Sequence, residues 1–348
     1  MNSKEIAKLA GVSRATVSRV INNSANVQPE TRERVMEVIK KNNYVPIEHA
    51  RMLAGKVTKV IGMFIVDIET EDAEARVSNS TYFSQFVNSV VDRAKKYGYN
   101  VLVSIVGSKK DFENVKNLFL NKSIAGGIFI GEKNDDQQIK ELMKFNLKMA
   151  VVDSLPINND GSSNCITVNM DNMGGAYKAT QYLINLGHKR IAHLSGDLGK
   201  LSGTLRLEGY RQALEEAGID IDYSLIAMGT FSEISGYKEA KKLLERQKPT
   251  AIFVANDCMA LGAMRAIKEM SYKIPQDISV IGFDDIEVSK YVSPALTTMG
   301  SSLFSMASIC VENLVTSIES EANYEAEFTV PVELIERQSC RAYERGEA

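Results

Sequence analysis

From residue 60 onward the chain carries seven apolar runs: Val60 to Val66, Val101 to Val106, Gly127 to Ile130, Met149 to Val152, Ile191 to Leu194, Ile252 to Ala255 and Ile278 to Phe283. None of them alternates apolar with polar positions, which predicts strands covered on both faces, as in parallel sheets. The stretches between them have helical spacing. Phe83, Phe86, Val87, Val90, Val91 and Ala94 fall on one face of one helix, and Ala260, Ala263, Met264 and Ile267 on one face of another. Alternation of strand and helix over nearly 290 residues is too long for one compact sheet and predicts two doubly wound halves.

The opening residues keep the helical period alone and predict three short helices. Ser3 caps the first, Lys4 to Ala10, and Gly11 supplies the turn; Ser13 caps a second, from about Arg14 to Asn23. Val17, Val20 and Ile21 face inward on that second helix, while Ala15, Ser18, Arg19 and Asn22 line the opposite face with Arg14 at its start. Pro29 suits the first position of a third helix, Glu30 to Lys41, closed by Asn42 and Asn43. The outward face of the second helix is small, polar and cationic, as a helix lying in the major groove requires. A solvated helix hairpin has the same pattern.

Charge favours the first of these readings. Residues 1–56 hold ten Lys/Arg against five Glu, a net of +5; the whole chain carries −3, which leaves −8 on the remainder. A basic head on an acidic body is the asymmetry of a nucleic-acid-binding module joined to a soluble regulatory domain. The chain has 348 residues, of which 44% are hydrophobic and 24% charged, as in soluble globular proteins. No apolar run approaches the roughly 20 residues of a membrane helix, and the charged start "MNSKEIAKLAG" points to the cytoplasm. Cys165, Cys258, Cys310 and Cys340 lack any C-x-x-C spacing, so reduced thiols are expected and neither a disulfide framework nor a metal site.

Polar residues stand just beyond the carboxyl ends of several apolar runs, where open α/β sheets bind ligands. They are Asp153, Asn256, Asp257 and Asp284, with Arg206 near the start of the helix after the Leu194 run. Acidic and amide acceptors beside a bidentate donor suit a polyhydroxylated ligand, since each sugar hydroxyl gives and accepts a hydrogen bond. Asp257 opens a helix and is expected to cap it. Asp153, Asp284 and Asp285 in one cleft would also allow carboxylate chemistry on a glycoside. Against an enzyme stand the missing G-x-S-x-G, H-E-x-x-H and G-x-G-x-x-G patterns and the scatter of the three histidines, His49, His188 and His193. No catalytic residue, metal or cofactor is expected.

"IAKLAGVSRATVSRVINN", followed by "ETRERV", "NNYVP" and "ARMLAGK", resembles the headpiece and hinge of the LacI/GalR bacterial transcription regulators. The likeness continues in collinear order through "GHKRIAHLSG", "RLEGYRQALEEAGI", "PTAIFVANDCMALGAMRAI" and "ISVIGFDDIEVSKYVSPALTT". It implies an α/β protein with an N-terminal three-helix helix-turn-helix headpiece (1–46) and a hinge helix with its linker (47–58). A periplasmic-binding-protein-like body of two doubly wound parallel-sheet subdomains (59–348) follows. The chain would cross three times between an N-subdomain, about 59–163 and 294–324, and a C-subdomain, about 164–293 and 325–345. Ser13, Arg14, Ala15, Thr16, Ser18, Arg19 and Asn22 would meet DNA from the second helix, and Ala50, Arg51 and Leu53 from the hinge. Asp153, Arg206, Asn256 and Asp284 would hold the effector with Phe231 as an aromatic platform, and Tyr82 and Phe83 would line the cleft or pack beside it. "FDDIEVSKYVSPALTTM" is closer to galactose-type than to purine-type regulators, which points to a galactoside or related sugar; a nucleobase or a protein co-repressor is the alternative.

The chain departs from the family pattern at Gln28, where a Ser cap is common, at Ile47, where the hinge has Asn, and in an acidic insertion at 69–77, read as a solvated loop or a lid. One recognition helix reads only a few base pairs, so a homodimer on palindromic double-stranded operator DNA is expected, with no membrane partner. The tail "RQSCRAYERGEA" has no leucine heptad for a tetramer. Segment 47–54, "IEHARMLA", is too short to hold a helix alone in water and is expected to fold only on DNA, with Leu53 as a minor-groove wedge.

Overall fold

The computed structural model describes residues 2–21, 24, 26–42, 44, 58–66, 81–131, 133, 137–155, 165–320 and 324–343. The chain divides into two units, Met1–Thr58 and Lys59–Ala348. Asn22, Ala50, Arg51, Leu53 and the insertion 69–77 lie outside the described residues.

The first unit holds α1 (Ser3–Ala10), α2 (Arg14–Ile21) and α3 (Pro29–Lys41). The cap of α1 lies one residue earlier than expected. Asn2 accepts from the Lys4 and Glu5 amides, and Glu5 returns a bond to the Asn2 amide at 2.9 Å, a reciprocal box that Ser3 cannot form with Glu5 two residues on. Gly11 ends α1 at φ 65°, the left-handed conformation that glycine adopts without a side-chain clash. Ser13 accepts from the Thr16 amide at 3.1 Å and so caps α2, whereas Gln28 makes no side-chain bond at the start of α3. Ile6, Ala7, Ala10, Val17, Val20, Val35 and Tyr44 close the core of this unit, with Ile21 half-buried beside them.

The second unit is built on two six-stranded sheets. The first runs β2 (Asn100–Val106), β1 (Val60–Val66), β3 (Gly126–Ile130), β4 (Met149–Val152), β5 (Cys165–Met170), β11 (Ala326–Val330). The second runs β7 (Ile226–Met228), β6 (Ile191–Ser195), β8 (Ala251–Val254), β9 (Ser279–Asp284), β10 (Thr297–Gly300), β12 (Glu333–Ile335). All neighbours are parallel except β12, which lies antiparallel to β10. Helices α4 (Thr81–Lys96), α5 (Lys109–Leu120), α6 (Gln137–Met143) and α11 (Leu303–Glu319) belong to the first lobe. Helices α7 (Asn172–Asn185), α8 (Leu201–Glu216), α9 (Glu233–Arg246) and α10 (Asp257–Glu269) belong to the second.

The chain crosses between lobes three times, but each crossing falls one strand later than the expected breaks at 163, 293 and 324. β5 pairs with β4 in the first sheet (Val152 opposite Val168), β10 with β9 in the second (Met299 opposite Phe283), and β11 with β5 in the first (Phe328 opposite Val168). Hydrogen bonding between segments far apart in the chain decides strand membership, and no local pattern records it.

The run at β2 is not covered on both faces. It is an edge strand, and Leu102, Val103 and Ile105 are 40%, 44% and 51% exposed. Val91, assigned to the buried face of α4, is likewise exposed at the margin of its stripe, while Phe83, Phe86, Val90 and Ala94 are buried. The expected apolar face of α10 is buried throughout. Among the described residues no helix is long and apolar enough to cross a membrane.

Candidate functional site

In the first unit Ser13, Arg14, Ala15, Ser18 and Arg19 are exposed on one side of α2 and Thr16 is half-buried. Val17 and Val20 turn the opposite face into the core, so the helix can present its cationic side without giving up packing. Ser13 Oγ also lies 2.9 Å from Thr16 Oγ1, so one of these two hydroxyls donates to the other at the helix start. Arg14 and Arg19 are therefore the charged groups that this face offers to a polyanion.

In the second unit all seven residues expected around an effector line one cavity of about 590 Å³ empty volume, part of it open to solvent. Tyr82 and Phe83 come from the first turn of α4, Asp153 follows β4, Arg206 lies on α8, Phe231 precedes α9, Asn256 follows β8 and Asp284 ends β9. Three of them hold the left-handed backbone that side chains other than glycine seldom adopt: Asp153 at φ 63°, Phe231 at 64° and Asp284 at 109°. Strain of this kind persists where the surroundings over-determine it, and it clusters at ligand sites.

Arg206 organises the floor. Only 4% exposed, it donates from Nε to Asn172 Oδ1 (2.9 Å) and from one terminal nitrogen to the Ala255 carbonyl (2.5 Å); the other terminal nitrogen lies 3.3 Å from Asp284 Oδ1. Its guanidinium stacks on Phe283, 3.7 Å from the ring centre. The Arg206–Asp284 contact is an ion pair without hydrogen-bond alignment, and it leaves Asp284 Oδ1 buried with no donor among the described residues. A buried acceptor in that state is one that a ligand hydroxyl would satisfy. Burial pushes the Asp284 carboxyl up to about 6 despite Arg206, with Asp153 adding to the rise. Tyr82 is held well above the ordinary phenol range by burial and by the same two carboxylates.

Asn256, and not Asp257, caps α10: its side-chain oxygen accepts from the Met259 amide at 2.9 Å while its nitrogen donates to the Phe231 carbonyl at 3.1 Å. Asp257 points away from the cavity and accepts from the Ile286 amide (3.0 Å), Ser289 (2.7 Å) and Thr298 (2.6 Å), so it ties the loop after β9 to β10. Burial, with Asp284 nearby, pushes its carboxyl to about 7. Asp285 pairs with Arg337, and His193 stacks between Tyr210 and Phe253, so neither joins the cleft.

The structure adds Asn172, Lys200 and Ser202 to the lining. Lys200 donates to the Gly131 carbonyl of the opposite lobe at 2.7 Å. Asn172 meets Arg206 because α7 and α8 approach closely at Gly209, where a Cβ would lie 2.2 Å from the Met173 carbonyl oxygen. Asn172 stands two residues after β5, a strand whose polar Thr167 and Asn169 kept it out of the apolar runs, and Lys200 and Ser202 lie beyond the loop that follows β6. Only Ser202 carried a signal in the sequence, one turn ahead of Arg206 on its helix.

Comparison with known proteins gives the family of both units. Residues 3–46 match the family model described as bacterial regulatory proteins, lacI family, and residues 180–340 match the periplasmic binding protein-like domain. The HTH-type transcriptional repressor PurR of Histophilus somni is 35% identical over 343 residues, covering 97% of this chain and 98% of that protein. A lac repressor dimer solved bound to operator and the anti-inducer ONPF is similar with a TM-score of 0.83 and 31% identity over 98% of this chain and 99% of that one. A complex of the transcriptional regulator CelR with cellobiose is similar with a TM-score of 0.74 and 29% identity over 97% and 99%.

Proposed function

Because the chain belongs to the lacI family of bacterial regulatory proteins, we propose that it is a cytoplasmic repressor of a carbohydrate-utilisation operon whose grip on its operator is set by a sugar in the body cleft. The observation that carries the sugar is the set of Asn256 and Asp284, both buried, and the half-buried Asp153 beside Arg206 in one cavity with the Phe231 ring, one acid oxygen of Asp284 lacking a donor among the described residues. Galactose or a galactoside leads the candidates on the likeness of the segment around Asp284 to galactose-type regulators. A nucleobase is the second reading, favoured by the planar side chains Tyr82, Phe83 and Phe231 in one cavity.

DNA binding supplies the output. Arg14, Ala15 and Arg19 read base edges in the major groove, and two heads on a two-fold axis span a palindrome. The exposed apolar side chains Val103 and Ile105, on one face of the edge strand β2, support a homodimer, since exposed apolar surface at a sheet edge marks an interface. On sequence alone, Ala50, Arg51 and Leu53 form the paired hinge that enters the minor groove. The experiment is a thermal-shift screen of the full chain against neutral sugars, sugar phosphates and nucleobases, paired with operator binding measured by anisotropy. A ligand at 100 times its dissociation constant raises stability by roughly 2.7 kcal/mol. A sugar that stabilises the protein and shifts operator affinity supports the reading; stabilisation by nucleobases alone replaces it with the second.

A further inference from the structure

Asn172 opens α7 at the first crossing between the lobes and is 1% exposed. The third crossing runs beside it: the Asp171 amide donates to the carbonyl of Val330, the last residue of β11, at 3.0 Å. At this hinge the Asn172 side chain serves two cleft groups at once. Its nitrogen donates to Asp153 Oδ1 at 3.0 Å and lies 3.4 Å from the Met170 carbonyl; its oxygen accepts from Arg206 Nε at 2.9 Å. Asp153 belongs to the first lobe and Arg206 to the second. A primary amide is the neutral group that offers a donor to a carboxylate and an acceptor to a guanidinium from adjacent atoms. An acid in its place would lose the donor, and an apolar side chain would leave the buried Arg206 and the half-buried Asp153 each short of a bond.

We propose that Asn172 is the positioning residue that couples effector occupancy to the arrangement of the two lobes, because one amide joins the first lobe's Asp153 to the second lobe's Arg206 across the hinge. This rests on the cleft being the effector site. A ligand shifts a conformational equilibrium only through a difference in its interaction with the two states. A link that spans the lobes and ends on the groups a ligand would use provides such a difference: drawing Asp153 or Arg206 toward the ligand changes what the hinge amide can hold on the other side.

Two measurements on the full chain test it, with Asn172→Asp and Asn172→Leu. The first needs no ligand. Asn172→Asp puts a second carboxylate beside Asp153, and two carboxylates so close share one proton. Its melting temperature should fall furthest below wild type near about pH 8 and recover toward about pH 5, where the shared proton restores a donor. Asn172→Leu, with no group to titrate, should lack this recovery. A deficit in Asn172→Asp that is the same across that range overturns the cross-lobe chain.

The second measurement is operator affinity with and without saturating galactose, cellobiose or hypoxanthine. Weaker effector binding moves the titration midpoint but leaves the saturated affinity ratio as it was, whereas lost coupling lowers the ratio itself. Both variants should lower the saturated ratio by at least about threefold against the wild-type coupling, and Asn172→Asp should regain it in acid. A wild type that responds beside variants with the same saturated ratio overturns the role of Asn172 alone. A wild type that answers none of the three probes overturns the effector reading and the coupling with it.

Discussion

On α2 the side chains of Arg14, Ala15, Ser18 and Arg19 stand exposed within one short helix, while the cleft gathers Asp153, Arg206, Phe231, Asn256 and Asp284 from separate strand ends and helices and buries most of them. Both regions recognise a partner by hydrogen bonds and charge, yet they differ in what else those groups do. The α2 residues hang from a core made by other positions, so each can change without disturbing its neighbours. In the cleft Arg206 bonds at once to Asn172, Ala255 and Asp284, and Asn256 both caps α10 and holds the Phe231 turn. Recognition and stability are separable in the head and inseparable in the body.

Replacing the central cation gives the largest expected departure. Arg206→Ala leaves Asp284 buried without its cation, a change that costs about 3–5 kcal/mol of stability in comparable buried pairs. With Arg206 gone the Asp284 carboxyl rises beyond its present value of about 6. The deficit is then fully present at alkaline pH and shrinks as acid lets Asp284 take a proton, which urea unfolding at several pH values will show. A variant as stable as wild type at neutral pH would end the claim that the cleft is a coupled network.

Arg19→Ala should do the opposite: about 1–3 kcal/mol of operator affinity lost, with specificity relaxed at one base pair per half-site, and a melting temperature left where it was. A fall in stability equal to the loss of binding would erase the contrast between the regions.

Asp257 and Asp284 give the body a pH dependence of known sign. Their folded carboxyls sit at about 7 and about 6, above the unfolded value near 3.8. The folded state binds more protons between those limits, so stability should decrease as pH rises from about 4 to 7 and level off above. Asp257→Asn removes one of these titrations and should flatten the profile by a kcal/mol-scale amount, about 2–4 °C for a domain of this size. A calorimetric profile as steep as wild type would show that Asp257 is not the group responsible.

The smallest change belongs to the head. Asn2→Ala removes the side-chain half of the α1 capping box, while its backbone N–H can still donate to Glu5, and should lower the stability of the first unit by about 1 kcal/mol, read by exchange of the α1 amides, with the response to effector unchanged.

The sequence by itself determined the three head helices, the outward face of α2, seven of the parallel strands (β1 to β4, β6, β8 and β9) and the placing of acids and amides at carboxyl ends of several of them. Each of these follows from a period of 3.6 or from an apolar run that stops at a polar residue, and both are local properties of the chain. Tertiary structure alone decided that β5 and β11 join the first sheet and β10 the second, that β2 lies at an exposed edge, and that Asp257 turns from the cleft to brace the loop after β9. It also decided that Asn172, Lys200 and Ser202 share a cavity with Asp153 and Asp284. An apolar run reports that a strand is sticky without saying how many neighbours it will have. An asparagine at a helix start reads as a cap until a guanidinium from another helix and a carboxylate from the other lobe are brought within 3.0 Å of its amide. Those partners lie 19 and 34 residues away along the chain, and only the packing of α7 against α8 and the pairing of β4 with β5 bring them to one point.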